Sequence, residues 1–180
     1  MEFNAMNKFT FRPIDGSYID VVMDIQQSAF AVMDNHEILR ANTRDMLTDC
    51  LDNHYSIGAF VPDEDGREKM VAFGILYFPG STDENLAQYL YDDIEDYDVY
   101  ANMKLIIVHP QYRGQGLQRT LTEVLEYEAR RRGIQELFCT VSPLNSHSYN
   151  NMIASGYEFI KLVEGKYNGA SRNVYHKKLL

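Results

Sequence analysis

A mixed α/β fold with α+β character, one central sheet of about seven strands with helices on both faces, is what the sequence predicts. Three observations predict it. Short apolar runs alternate along the chain with amphipathic stretches of helical period. One run, Met103–Val108 (MKLIIV), is continuously apolar, as a strand buried on both faces would be. The glycines of Val108–Gln118 (VHPQYRGQGLQ) then sit at a strand-to-helix junction.

The elements follow in order. FTFRPI (Phe9–Ile14) alternates and meets DGS, giving a first strand and a helix start, with Ser17 and Asp20 as a capping pair. Ile19, Val22, Met23, Ala29, Phe30 and Met33 recur at helical spacing, and a second short helix is expected from about Thr43, with Met46, Leu47, Cys50 and Leu51 on one face. YSIGAFV and KMVAFGILYF flank PDEDGRE as a hairpin. In the next segment, Ser81–Tyr100, Ser81 and Glu84 fit a capping box and Leu86, Leu90 and Ile94 an apolar stripe, which predicts an acidic helix.

After the MKLIIV strand a long helix runs from Gly116, with Leu117, Leu121, Val124 and Leu125 inward. Arg130–Arg132 complement its C-terminal dipole and Gly133 caps it. LFCTVS is the next strand, a short helix covers about Ser146–Ser155 before Gly156, and Phe159–Val163 with Asn173–Leu179 close the chain as a strand pair. The strand–helix–strand unit in the middle should be a right-handed parallel crossover, and the hairpins antiparallel.

The length of 180 residues fits one domain, 1–180. Its composition, 45% hydrophobic and 24% charged, is globular, and its net charge of −9 argues against a nucleic-acid partner and toward a cationic one. Two lone cysteines, Cys50 and Cys139, suit a reducing cytoplasm, and the N-terminal MEFNAMNKFTF shows no export signal. No apolar run is long enough to span a membrane. The histidines His36, His54, His109, His147 and His176 have no metal-ligand spacing, so no metal is expected.

Glycines at a strand-to-helix junction let backbone amides approach an anion. A dinucleotide fingerprint fails here because Arg119 stands where the third glycine belongs, and a P-loop fails for want of Gly-Lys-Ser/Thr. The arrangement present is Q-x-x-G-x-G, as Gln111, Gly114 and Gly116, followed by a long helix, a strand, SPLN, a short helix and SGYEF. In these features the sequence resembles the GNAT superfamily of acetyl-CoA-dependent N-acetyltransferases, from FRPID to the final strand pair.

The resemblance implies a GNAT-like fold and acetyl-CoA, or coenzyme A, as co-substrate. It places the coenzyme pyrophosphate at Arg113, Gly114, Gln115, Gly116, Leu117 and Gln118, and the pantetheine arm along Ile106, Ile107 and Val108. Arg113 either adds charge to the phosphates or lies in solvent, and Gln118 departs from the small residue common in the family loop. Asn145 matches the family asparagine that contacts coenzyme A, caps the short helix, or does both.

The family's general-acid tyrosine position holds Met152, and its carboxylate base is replaced by Lys104 and Leu105 on the central strand. Tyr149 and Ser148 share the Met152 face of the helix and are the candidate catalytic residues, Tyr149 reading equally as a core aromatic. Ser81–Tyr100 carries seven carboxylates, Asp83, Glu84, Asp92, Asp93, Glu95, Asp96 and Asp98, and four tyrosines. These would recruit a cationic amine as a lid or form a solvated face. The reading is thus transfer of acetyl to a small-molecule or peptide amine by direct attack, with a coenzyme A-binding sensor or partner-binding module as the rival. A toxin acting on aminoacyl-tRNA is disfavoured by charge. Oligomeric state is open, a homodimer included.

Overall fold

The structure is a computed structural model and describes residues 8–35, 37–167 and 169–179. The N-terminal stretch 1–7, with its expected lack of an export signal, and His36 lie outside the described residues. The elements are β1 (Thr10–Ile14), α1 (Ile19–Ala31), α2 (Arg44–Asn53), β2 (Tyr55–Pro62), β3 (Glu68–Tyr77), β4 (Tyr100–Val108), α3 (Leu117–Arg131), β5 (Glu136–Val141), α4 (Ser146–Ala154), β6 (Glu158–Gly165) and β7 (Gly169–Lys178). The strands form one seven-stranded mixed sheet of order β1-β2-β3-β4-β5-β7-β6. Only β4 and β5 among the registered pairs run parallel, as the crossover through α3 requires.

The chain folds as two compact units, one formed by 8–33, 41–75 and 105–125, the other by 34–40, 76–104 and 126–179. In the first, β1 pairs antiparallel with β2, Thr10 against Phe60 through Ile14 against Ser56. Val22 and Ala29 of the predicted α1 stripe are buried together with Ile25, which that stripe did not include, and Ile19, Met23 and Phe30 are half-buried; Leu47, Cys50 and Leu51 of α2 are buried as the sequence predicts. The expected Ser17–Asp20 capping pair is replaced by a 3-10 turn at Gly16–Tyr18, whose cap is Asp15, accepting from the Ser17 amide at 3.0 Å. Thr43 caps α2 by accepting from the Met46 amide. Gly74 admits α3: a Cβ there would meet Leu125 Cδ1 at 3.0 Å.

In the second unit, β4 and β5 pair over Tyr100–Asn102 and Glu136–Phe138. β5 pairs along its whole length with β7, and β6 pairs with β7 with two register shifts, at Phe159/Lys161 and Val163/Gly165. The acidic helix expected over Ser81–Tyr100 does not form. Its regular structure is one 3-10 turn, Leu86–Tyr89, capped by Asn85 rather than Ser81. Tertiary packing explains this: Tyr89, Tyr91, Ile94 and Tyr100 pack against a buried cluster of Leu86, Ala87, Phe138 and Val174, and an irregular path brings all of them to one side. Asn102 of β4 fixes the turn, donating to the Glu84 carbonyl at 2.8 Å and accepting from the Leu86 amide at 3.4 Å.

The arginine triplet is spent on helix-end pairing. Arg131 and Arg132 bind Glu128 at 2.7 and 2.8 Å, and Arg130 lies 3.7 Å from Glu126. Glu126, 7% exposed, also takes two hydrogen bonds from Lys177 Nζ at 2.8 and 2.7 Å, while Lys177 gives another to the Ser155 carbonyl at 2.6 Å. This one ammonium joins α3, β7 and the C-terminus of α4. Removing one partner of a buried ion pair strands the other charge. Lys177→Met should therefore cost about 3 kcal/mol of stability in urea unfolding, the low end because Arg130 remains. Adding Glu126→Gln to it should restore at least half of the loss.

Candidate active site

Within the first unit, β4 delivers Ile106, Ile107 and Val108 to the glycine loop. Ile107 is buried, whereas Ile106 and Val108 are half-buried. The His109 amide bonds the Val71 carbonyl at 2.9 Å, and its ring Nδ1 accepts from the Gln111 amide at 3.3 Å, capping a 3-10 turn at Pro110–Tyr112. Burial, then the charges of Lys69 and Arg113, lowers the His109 pKa, so this ring is a neutral structural cap at pH 7.

Gly114 and Gly116 then take φ of 75° and 76°, the left-handed region that glycine enters without strain. Residues in that region turn neighbouring amides toward a common concavity. A Cβ on Gly114 would meet nothing within 4 Å, so its face is open. Helix α3 starts at Leu117, and its first helical bond runs from the Thr120 amide to the Gly116 carbonyl at 3.0 Å. The preceding amides of the first turn face out of the helix end, where the dipole favours an anion. Leu117 is buried and anchors the turn, Gln115 and Gln118 are half-buried, and Arg113 is exposed beside the loop. Amides, dipole and one exposed guanidinium make a fitting cradle for a pyrophosphate.

Within the second unit, Asn145 caps α4, its Oδ1 accepting from the Ser148 amide at 3.0 Å. The capping uses the side-chain oxygen and leaves the amide nitrogen as a donor. Met152 points inward, 3% exposed, with its sulfur 3.6 Å from Cys139 Sγ. Burial pushes that thiol up to about 12, so it is an unreactive core group. Tyr149 is turned outward, 45% exposed, its ring tilted against Tyr175 at 6.3 Å. The ring thus packs on one aromatic neighbour while much of the side chain stays open to solvent. Ser148 is half-buried.

The acidic segment divides by residue type. Asp92, Asp93, Glu95, Asp96 and Asp98 are exposed. Two of its tyrosines are held to the unit by hydrogen bonds: Tyr91 donates to Glu136 at 2.7 Å, and the Tyr89 hydroxyl accepts from Lys166 at 2.9 Å. Burial and then the Glu136 carboxylate push the Tyr91 hydroxyl up to about 12.

Two arrangements escaped sequence reading. Lys104 on β4 binds Glu84 at 2.6 Å and lies 3.7 Å from the centre of the Tyr77 ring. Burial tends to raise the Glu84 pKa, but Lys104, with help from Arg40 and Lys166, takes it below the usual carboxylate range. The second is Arg172 on β7, buried in phase with Val174, the alternation that marks a core face. A charged residue at such a position is the signal that the sequence offered. Among the described residues no group of His, Cys, Asp and Glu is placed to hold a metal ion, and no helix is long and apolar enough to cross a membrane.

Solved structures share this arrangement of elements. The Salmonella typhimurium protein yncA, assigned as an acetyltransferase and solved with its cofactor acetyl-CoA, is 17% identical, with a TM-score of 0.68 over 97% of this chain and 95% of its own. The ribosomal-protein-S18-alanine N-acetyltransferase of Escherichia coli is 18% identical, with a TM-score of 0.68 over 95% and 94%. Ard1 of Thermoplasma volcanium is 15% identical, with a TM-score of 0.68 over 96% and 99%. At these identities the likeness is one of fold, and no curated protein matches the sequence significantly. The model of the acetyltransferase (GNAT) family matches residues 19–157, and the chain belongs to that family.

Proposed function

We propose that this protein transfers the acetyl group of acetyl-CoA to a primary amine of a small molecule or peptide, by direct attack in a ternary complex, in the cytoplasm. The observation that carries the reading is the glycine loop with two left-handed residues, set between the end of β4 and the N-terminus of α3. Acetyl-CoA supplies an activated thioester. The loop amides and α3 dipole bind the pyrophosphate, with Arg113 as an added charge. The end of β4 offers backbone groups to the extended pantetheine arm, as an added strand would take them. The Val108 amide is the donor for the carbonyl oxygen, the Asn145 side-chain amide a further cofactor contact, and the solvent-facing Tyr149 hydroxyl the proton source for the leaving thiolate.

Glu84 does not suit the base role, because a carboxylate held below its usual pKa is a weak proton acceptor. The acceptor nitrogen on this reading loses its proton to water. Burial of Met152 and the Lys104–Glu84 pair favour the second reading, a coenzyme A-binding module without turnover. Thiol release from acetyl-CoA across a panel of amines separates the two: release above hydrolysis with at least one amine is expected, and tight binding without release leaves the binding module.

Gly116→Val places a branched side chain at a left-handed position in the phosphate loop. Acetyl-CoA affinity should fall at least about tenfold by calorimetry, the worth of one lost charge-assisted hydrogen bond. Unchanged affinity in the folded variant overturns the loop assignment.

Tyr149→Phe should lower kcat by about 10²-fold, the scale of one general acid, with acetyl-CoA affinity retained. Full turnover across the pH range would give the proton to water.

A further inference from the structure

Beside the glycine loop, the first unit gathers the cations Lys8, Lys69 and Arg113 in a chain whose net charge is −9. Lys69 stands near the start of β3, two residues before Val71, whose carbonyl takes the His109 amide at 2.9 Å. The period of a strand puts Lys69 on the face of Val71 and Phe73, both fully buried, where that face runs out into solvent. Its Nζ lies 6.0 Å from the centre of the Tyr112 ring, and Arg113 follows Tyr112 in the chain. Tyr112 packs edge-to-face with His109 at 5.9 Å and with Phe9 at 6.5 Å. Lys8 Nζ lies 5.6 Å from the centre of the Phe9 ring.

All three cations are exposed, and among the described residues none of them has an ion pair or a side-chain hydrogen bond. Other cations of the same unit, Arg12, Arg44 and Arg119, each hold a carboxylate. The positive excess is therefore local to the Tyr112 turn, and Lys69 and Arg113 are the charges that act on the His109 ring within it.

Coenzyme A brings two kinds of phosphate to this place. Its pyrophosphate is a diester, met by the loop amides, the α3 dipole and Arg113 on the reading above. Its other phosphate is a monoester on the far side of the same ribose, and such a group carries about −1.5 to −2 charges at pH 7. Meeting it takes a cation beyond the loop. A lysine suits that task, since it binds phosphate as a point charge on a flexible stem.

We propose that Lys69 binds the 3′-phosphate of coenzyme A, with Lys8 and Arg113 adding to the field, so that the protein distinguishes coenzyme A from its 3′-dephospho form. This rests on the coenzyme-binding part of the acetyl-transfer reading and adds to it a residue from β3, outside the loop.

The test is calorimetric titration of the full chain with coenzyme A and with 3′-dephospho-coenzyme A at constant low ionic strength. Coenzyme A should bind about fivefold more tightly, the upper end for an exposed ion pair. Lys69→Gln should erase that advantage by weakening coenzyme A alone, and Lys69→Arg should keep most of it. Lys69 is exposed and leaves no partner stranded, so both variants should fold. Lys161→Gln removes the same charge from exposed β6 of the second unit and should leave the advantage intact. Equal binding of the two coenzymes to wild-type protein, or an advantage that survives Lys69→Gln, overturns the proposal and leaves the loop assignment standing. An equal loss in Lys161→Gln makes the effect one of net charge and overturns it as well. Binding of neither coenzyme overturns the loop assignment and the proposal together.

Discussion

The parallel ladder between β4 and β5 runs through Tyr100, Ala101 and Asn102, and the second unit is arranged around it. Side chains from several elements reinforce that pairing. Asn102 itself ties the Glu84–Leu86 turn to the strand, and Tyr91 donates to Glu136 at the first pair. Lys177 then binds β7 to α3 and α4 from the other side of β5.

Charge is handled in the same economical way. The chain is strongly acidic, yet its acids are mostly at the surface, and those that are buried are paired. Glu126 has Lys177, Glu128 has two arginines, and Glu136 accepts from Tyr91 with His176 at 3.3 Å. Buried carboxylates are thereby kept within hydrogen-bond networks, which is the condition for their being tolerated at all. Arg172 breaks the pattern from the opposite sign, which is why it stands out.

Most of the fold was legible in residues that obey one period. Val22 and Ala29, or Leu121 and Leu125, declare helices, and the glycine loop declares its own left-handed backbone. Ser81–Tyr100 misled because local signals, a capping pair and an apolar stripe, were outweighed by packing: four separate side chains gain more by meeting Phe138 and Val174 than a helix would gain from its hydrogen bonds. The cap of the first helix failed more simply, since Asp15 takes both the amide and the hydroxyl of Ser17. The glycine loop between β4 and α3 is local in sequence and was readable. Arg40, Tyr167 and Arg172 meet only in three dimensions, and an isolated arginine in a strand carries no message until its neighbours are known.

The last feature lies at the margin of the sheet. β6 is an edge strand that shows Phe159 and Leu162 to solvent, a combination that ordinarily templates addition of further chains. Its two register shifts bend and twist that margin, interrupting the flat row of amides and carbonyls that a foreign strand needs. Glu158, Lys161 and Glu164 add charges along the same eight residues, spaced by three, so that they fall on both faces of the ribbon. The protein thus displays greasy side chains at a rim whose irregular backbone resists fibre-like growth.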